Sequence, residues 1–179
     1  MEIIFICTKS ITFNTFLTSQ ADYLKNKGFE VKVACSDSEN LNFEKNSIYK
    51  ISFPTKFLDL INIFKYIKVI LQINKIIKKN KSGIFYLHTP VASYLFRFFT
   101  LFYNIKIIYF IHGFRFTPNT NFLIANFYKI VENILSFKTD VIITINSTDF
   151  YYAKNKLLNK VPCYKIKGVG LDLKKKKFK

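Results

Sequence analysis

The chain contains two histidines, His88 and His112. Each closes a short run of apolar residues. The second sits in Lys106–Phe116, KIIYFIHGFRF, where the unbroken run Ile107–Ile111 stops at His112-Gly113 and Arg115 follows. An imidazole changes charge near neutral pH and can give or take a proton. Gly113 lets a ligand or the backbone approach closely. Arg115 is a fixed cation with a bidentate donor fork suited to phosphate. This combination fits a site that handles a phosphate or a hydroxyl. The plainer alternative for either histidine is a hydrogen-bonded structural residue at a strand end.

Such residues need elements to hold them. Apolar, β-branched and aromatic runs of this length read as strands buried on both faces, as in a parallel sheet. Seven are expected: Ile3–Cys7, Phe29–Cys35, Ile48–Phe53, Gly83–Leu87, Ile107–Ile111, Val141–Ile145 and Pro162–Ile166. Helical spacing fills the gaps. Phe13, Phe16, Leu17, Ala21 and Leu24 mark a first helix, capped by Ser10 or Thr12 and ended by Gly28. Lys56–Lys79 reads as a long helix with Phe57, Leu60, Ile61, Phe64, Ile67 and Leu71 in one apolar stripe. Val91–Phe102, Asn121–Phe137 and Asp149–Leu158 follow, with Leu123, Phe127, Ile130, Val131 and Ile134 expected to face the core. Alternating strand and helix imply a doubly wound α/β layer with a parallel sheet and right-handed crossovers. In such sheets ligands bind at the carboxyl edge of the strands. Thr8-Lys9-Ser10, His88-Thr89, His112–Arg115, Asn146-Ser147 and Gly168-Val169-Gly170 all fall just past a strand, so all are expected on that one edge.

The formal charge is +17, from 28 basic and 11 acidic residues. Such an excess attracts polyanions: nucleic acid, anionic lipid or phosphorylated small molecules. Lys65, Lys68, Lys75 and Lys79, with Gln72, share one face of the long helix. That row is either a solvated face or a surface that meets anionic lipid. Lys174–Lys177 is a frayed basic terminus or the footprint of a nucleic-acid binder. Arg97, Asn104 and Lys106 interrupt the greasy stretch Val91–Ile111, which argues against a membrane span there. The three widely spaced cysteines read as reduced core residues of a cytosolic protein. The residues offer no G-x-G-x-x-G after the first strand, no G-x-x-x-x-G-K-[ST], no G-x-S-x-G and no metal-ligand spacing. Nothing in the pattern suggests a helix-turn-helix or an RNP-type strand, so nucleic acid is disfavoured. A metal or cofactor is not expected.

His88–Tyr94 (HTPVASY), Tyr109–Phe116 (YFIHGFRF), Glu132, Thr139–Asn146 (TDVIITIN) and Gly168–Asp172 (GVGLD) together resemble the N-terminal half of family 4 glycosyltransferases. The likeness is nearest to the bacterial sugar transferases of capsule, exopolysaccharide and glycan assembly. The resemblance implies one half of a GT-B architecture, with residues 1–167 as a Rossmann-like acceptor domain. Residues 168–179 would begin the interdomain linker. The donor domain, which binds most of the nucleotide-sugar, would lie outside this chain or come from a separate donor-domain chain. It implies a retaining transferase without a catalytic metal, in which His112 meets the donor sugar. Thr8, Lys9, Ser10, His88, Thr89, Gly113, Arg115, Asn146 and Ser147 would serve the substrates. The acceptor would be a saccharide, often carried on polyprenyl diphosphate at the inner face of the cell membrane. The first loop, Thr8–Thr12, departs from the family in lacking paired glycines. By itself this chain is expected to transfer sugar negligibly.

Overall fold

A computed structural model describes residues 1–55, 59, 62–117 and 119–168. Seven strands form one sheet: β1 (Glu2–Ile6), β2 (Glu30–Cys35), β3 (Ile48–Lys50), β4 (Ile84–Leu87), β5 (Lys106–Ile111), β6 (Val141–Thr144) and β7 (Cys163–Lys165). Their order is β3-β2-β1-β4-β5-β6-β7, and every neighbouring pair is parallel. The direction of winding reverses between β1 and β4, which makes their carboxyl ends the switch point of the sheet. The register aligns Ile6 with both Ala34 and Leu87, and Leu87 with Tyr109.

Successive side chains on a strand point to opposite faces. Ile4, Ile6, Phe85, Leu87, Ile107, Tyr109 and Ile142 face one core. That layer holds α3 (Ile63–Lys79), α4 (Pro90–Phe99), α5 (Phe122–Ser136) and α6 (Ser147–Asn155). Phe5, Cys7, Val31, Val33, Tyr86 and Phe110 face the other core. There the covering element is α1 (Ser10–Thr12), a π-helical turn (Phe13–Leu17) and α2 (Thr18–Asn26), which buries Phe13, Leu17 and Ala21. Gly28 follows α2 with φ +85, the left-handed cap its position requires.

Three expectations about helices are corrected. The cap of α1 is neither Ser10 nor Thr12. Lys9 is the N-cap residue and makes no side-chain cap; Asp37, from the loop after β2, accepts from the Ser10 N–H at 2.7 Å and from its hydroxyl at 2.8 Å. In α3 the buried stripe is Val69, Ile73, Ile76 and Ile77. Phe64 is 77 % exposed and Leu71 64 %, with Ile67 exposed beside them. Phe57, Leu60 and Ile61 lie outside the described residues. In α5, Leu123, Phe127, Ile130 and Ile134 are all exposed, Leu123 at 75 %, and Val131 is half-buried. The inward face of α5 carries Ala125, Glu132, Leu135 and Ser136.

The reason lies between α4 and α5. Arg97 Nη2 donates to Glu132 Oε2 at 3.0 Å, and both side chains are 1 % exposed. The Tyr109 hydroxyl donates to the other carboxylate oxygen at 3.1 Å. The guanidinium also lies 4.0 Å over the Tyr109 ring and reaches the Thr139 hydroxyl. A buried charge must be paired and hydrogen-bonded. Meeting that demand turns Glu132 inward and rolls the apolar residues of α5 outward. Burial, and then the Glu132 carboxylate, push the Tyr109 hydroxyl well above its ordinary pKa.

Candidate active site

The predicted site residues do fall along one edge. His88 and His112 follow β4 and β5, two neighbouring parallel strands, and they project on the same face as Phe5, Tyr86 and Phe110. Their ring centroids are 5.8 Å apart. His88 is 1 % exposed. It stacks on Phe5 with planes 6° apart and touches Tyr86 at 4.2 Å and Phe110 at 5.4 Å. Neither of its ring nitrogens has a hydrogen-bond partner among the described residues. Burial, and then the neighbouring His112, hold its pKa well below the ordinary value. His88 is therefore a neutral aromatic plate.

His112 is half-buried, 4.6 Å from the Phe110 ring. Its Nε2 is buried and unpartnered among the described residues. Burial lowers its pKa too, so at neutral pH the ring offers one donor and one acceptor nitrogen. Gly113 has φ +155, and no atom lies within 4 Å of where a Cβ would stand. The edge is open at that point.

Four of the named residues share one groove of about 310 Å³. Thr8, Lys9, Thr89 and Arg115 line it, together with Pro54 and Thr55. The Thr89 hydroxyl accepts from the Thr8 N–H at 2.8 Å and lies 2.6 Å from the Thr8 hydroxyl. These bonds tie the loop after β1 to the start of α4. Arg115 is exposed and makes no ion pair among the described residues. The Thr8 and Thr89 hydroxyls and the exposed cations Lys9 and Arg115 thus line one groove.

Three residues have structural duties instead. Ser10 is buried and donates to Asp37 through both its groups. Asn146 caps α6: its carbonyl oxygen accepts from the Asp149 N–H at 2.8 Å, and its amide donates to the Asp149 carboxylate at 2.6 Å. Ser147 accepts from Lys165 Nζ at 3.0 Å. Val169 and Gly170 lie outside the described residues.

Asp37 was not legible as a site residue. Burial alone would raise its pKa, but the Ser10 N–H and hydroxyl outweigh that and hold the carboxyl below its ordinary value. The signal was positional. Asp37 is the second residue past a strand that neighbours β1, so its carboxylate reaches the loop where α1 begins.

Residues 3–147 match the glycosyl transferase 4-like family. The chain belongs to that family. It is 31 % identical over 179 residues to EpsD of Bacillus subtilis (strain 168), which is named as a glycosyltransferase; the match covers 96 % of this chain and 44 % of EpsD. Among solved structures it is similar to sucrose-phosphate synthase from Thermosynechococcus elongatus, at 10 % identity and a TM-score of 0.67, over 93 % of this chain and 47 % of that one. It is similar also to UDP-N-acetylglucosamine 2-epimerase from Rickettsia bellii, at 14 % identity and a TM-score of 0.61, over 94 % of this chain and 45 % of that one. At such identities the likeness is one of fold: a Rossmann-like layer that forms one half of a GT-B architecture. The chain spans just under half the length of each of these relatives. A synthase and an epimerase share the fold, so the chemistry resides in the edge and not in the sheet.

Proposed function

We propose that this chain is the acceptor-side half of a retaining glycosyltransferase that moves a hexosyl group from a nucleotide-sugar to a saccharide acceptor, carried on lipid, in polysaccharide or glycan assembly. Family membership favours this over nucleic-acid binding. The observation that carries the reading is His112: a neutral imidazole at the end of a central strand, beside the open backbone of Gly113 and on the same edge as the Lys9–Arg115 groove. In this role the His112 ring hydrogen-bonds the donor sugar. Lys9 and Arg115 offer positive charge to phosphate, on the donor or on the acceptor. The Thr8 and Thr89 hydroxyls form a polar floor for sugar hydroxyls.

The leaving nucleotide diphosphate gains negative charge as the glycosidic bond breaks. Donors fixed in advance must meet that charge. In this reading the donor half, which continues past residues 168–179 or is a separate chain, supplies most of them. The 179 residues alone would then bind acceptor weakly and turn over negligibly. No metal or organic cofactor is assigned a role.

The test is labelled-sugar transfer by this chain joined to a donor-binding domain. His112→Ala should lower kcat by about 10²–10³-fold, the scale of losing one preorganised donor, with acceptor affinity unchanged. Full transfer by that variant would remove the role, and turnover by the 179 residues alone would refute the half-site reading.

A further inference from the structure

The outward face of α5 carries a regular apolar repeat. Leu123, Phe127, Ile130, Ile134 and Phe137 follow one another at intervals of four, three, four and three residues, the spacing of paired helices. At about 100° per residue they fall within an arc of about 80°, opposite the inward Ala125, Glu132, Leu135 and Ser136. All five are more than half exposed, from Ile134 at 54 % to Leu123 at 75 %. The buried pair of Arg97 and Glu132 holds this roll, and turning the stripe toward the sheet would strip one charge from the other.

The stripe runs about 21 Å along the helix, at about 1.5 Å per residue. Phe122 and Ile124, also exposed, flank its start. Asn133, on its border, accepts from the Leu158 N–H at 2.8 Å and brings the exposed Leu158 alongside. With large apolar side chains of roughly 200 Å² each, the face leaves on the order of 800 Å² bare. The largest apolar patch of an ordinary monomer is about 300–600 Å². Each side of a stable protein interface contributes about 800 Å².

Charge selects the occupant. A chain of +17 repels its own copy wherever lysines meet. The α3 stripe is bordered by the exposed Lys68 and Lys75, so that face suits an anionic surface. On α5 the one lysine, Lys129, is half-buried and lies 5.9 Å over the Phe116 ring. The one carboxylate, Glu132, is paired in the core. Lys138, just past the helix, donates to the Tyr103 carbonyl. Asn126 and Asn133 make the border an amide one. Two such faces can meet without setting charge on charge. Side-chain size selects the direction. With Ile130 on the axis of an antiparallel pair, Phe127 packs across it on Ile134, and Phe137 on Leu123, so large side chains meet smaller ones. A parallel pair would set each phenylalanine against itself.

We propose that the outward face of α5 is a homodimer interface, in which two copies of this chain pack α5 on α5, antiparallel, about a two-fold axis at Ile130. Such a contact uses the same patch on both copies and closes on itself. It uses none of the residues named for the groove between Lys9 and Arg115, so it stands apart from the transferase reading.

Sedimentation equilibrium tests it on the 179-residue chain and on the chain joined to a donor-binding domain, with far-UV circular dichroism confirming the fold of each variant. The wild type should show twice the chain mass of 21.1 kDa, and high salt should leave that dimer intact. Ile130→Glu and Ile130→Lys each set like charges on the axis and should weaken the dimer at least about 100-fold. An equimolar mixture of the two should restore it. F127E/I134K sets a carboxylate opposite an ammonium in an antiparallel pair and should dimerise at least about tenfold tighter than F127E/I134E, which sets like on like. The second variant has the lower net charge, so general repulsion cannot mimic that result. Equal weakening of the two overturns the antiparallel arrangement. A wild type still monomeric at about 100 µM, a dimer that survives I130E, a mixture that stays monomeric, or open-ended larger species overturns the interface. So does a joined chain that is monomeric where the 179 residues pair, which gives the face to the donor half. Vesicle sedimentation that I130E abolishes while the free chain is monomeric gives the face to a bilayer and overturns it too.

Discussion

At the scale of single residues, the edge is governed by what burial does to polar groups. His88 is enclosed by Phe5, Tyr86, Phe110 and His112 and has no hydrogen-bond partner among the described residues. Enclosure disfavours the imidazolium, so the folded pKa lies below that of the unfolded chain. His112 shifts the same way through burial. The unfolded state then binds protons first as pH falls, and linkage makes the native state lose stability. The contribution of both rings is full above about pH 6.5, the ordinary imidazole value, and declines from there down through the folded values. Urea midpoints should drop between about pH 7.5 and 5. His88→Phe keeps the stack and removes one titrating group, so its midpoint should fall less over that range. An unchanged pH slope in H88F would mean the plate is not the source. At Asp37 the fold favours the charged form instead, though its pKa too lies below the ordinary value and its contribution is likewise lost as pH falls. Its carboxylate is favoured by Ser10, and an external cap of this kind is worth about 0.5–2 kcal/mol.

At the scale of elements, one ion pair sets how the helical layer is rolled. Arg97 of α4 and Glu132 of α5 are fully buried and joined by the Tyr109 hydroxyl of β5. Removing one partner leaves a bare charge in the core, which costs about 3–5 kcal/mol. Glu132→Ala should therefore unfold at much lower urea than the wild type. The double variant R97M/E132L removes both charges and should recover most of that loss, because paired burial itself brings little net stability. Additive losses in the double variant would show that the two residues act separately. The same pair explains why hydrophobic spacing misassigned α5. Its inward face holds a glutamate, a serine and a small alanine, and an apolar count has no means of preferring that face. In α3 two apolar stripes coexist, and contact with the sheet chose Val69–Ile77 over Phe64–Leu71.

At the scale of the whole molecule, charge and exposed apolar surface coincide. The chain carries +17, while α3 and α5 present aromatic and aliphatic side chains outward. Among the described residues no helix is long and apolar enough to cross a membrane. We propose contact with an anionic membrane surface on the strength of that coincidence of charge and apolar side chains. Roughly 1 kcal/mol is available per basic residue near anionic lipid, screened within a Debye length. Of the row predicted to face lipid, Lys68, Lys75 and Lys79 are exposed, whereas Lys65 is half-buried and pairs with Asp59. The chain should sediment with phosphatidylglycerol vesicles at low salt and be released as salt rises toward 0.5 M (about 4 Å of screening length). Equal retention on phosphatidylcholine would remove the electrostatic part.

The sequence by itself determined the seven strands, their alternation with helices and the shared edge. Ile3–Cys7 and Ile107–Ile111 are apolar on both faces, and a parallel sheet covered on both sides buries such runs. Strand ends in a parallel sheet then coincide, which is why His88 and His112 could be expected together. Tertiary structure alone decided which helix faces turn inward, and that Asp37 caps α1 from another loop. It also separated Thr8, Lys9, Thr89 and Arg115, which face a groove, from Ser10 and Asn146, which hold the backbone. Those outcomes depend on partners far apart in the chain, Arg97 with Glu132 and Ser10 with Asp37, and local periodicity carries no information about a partner it does not contain.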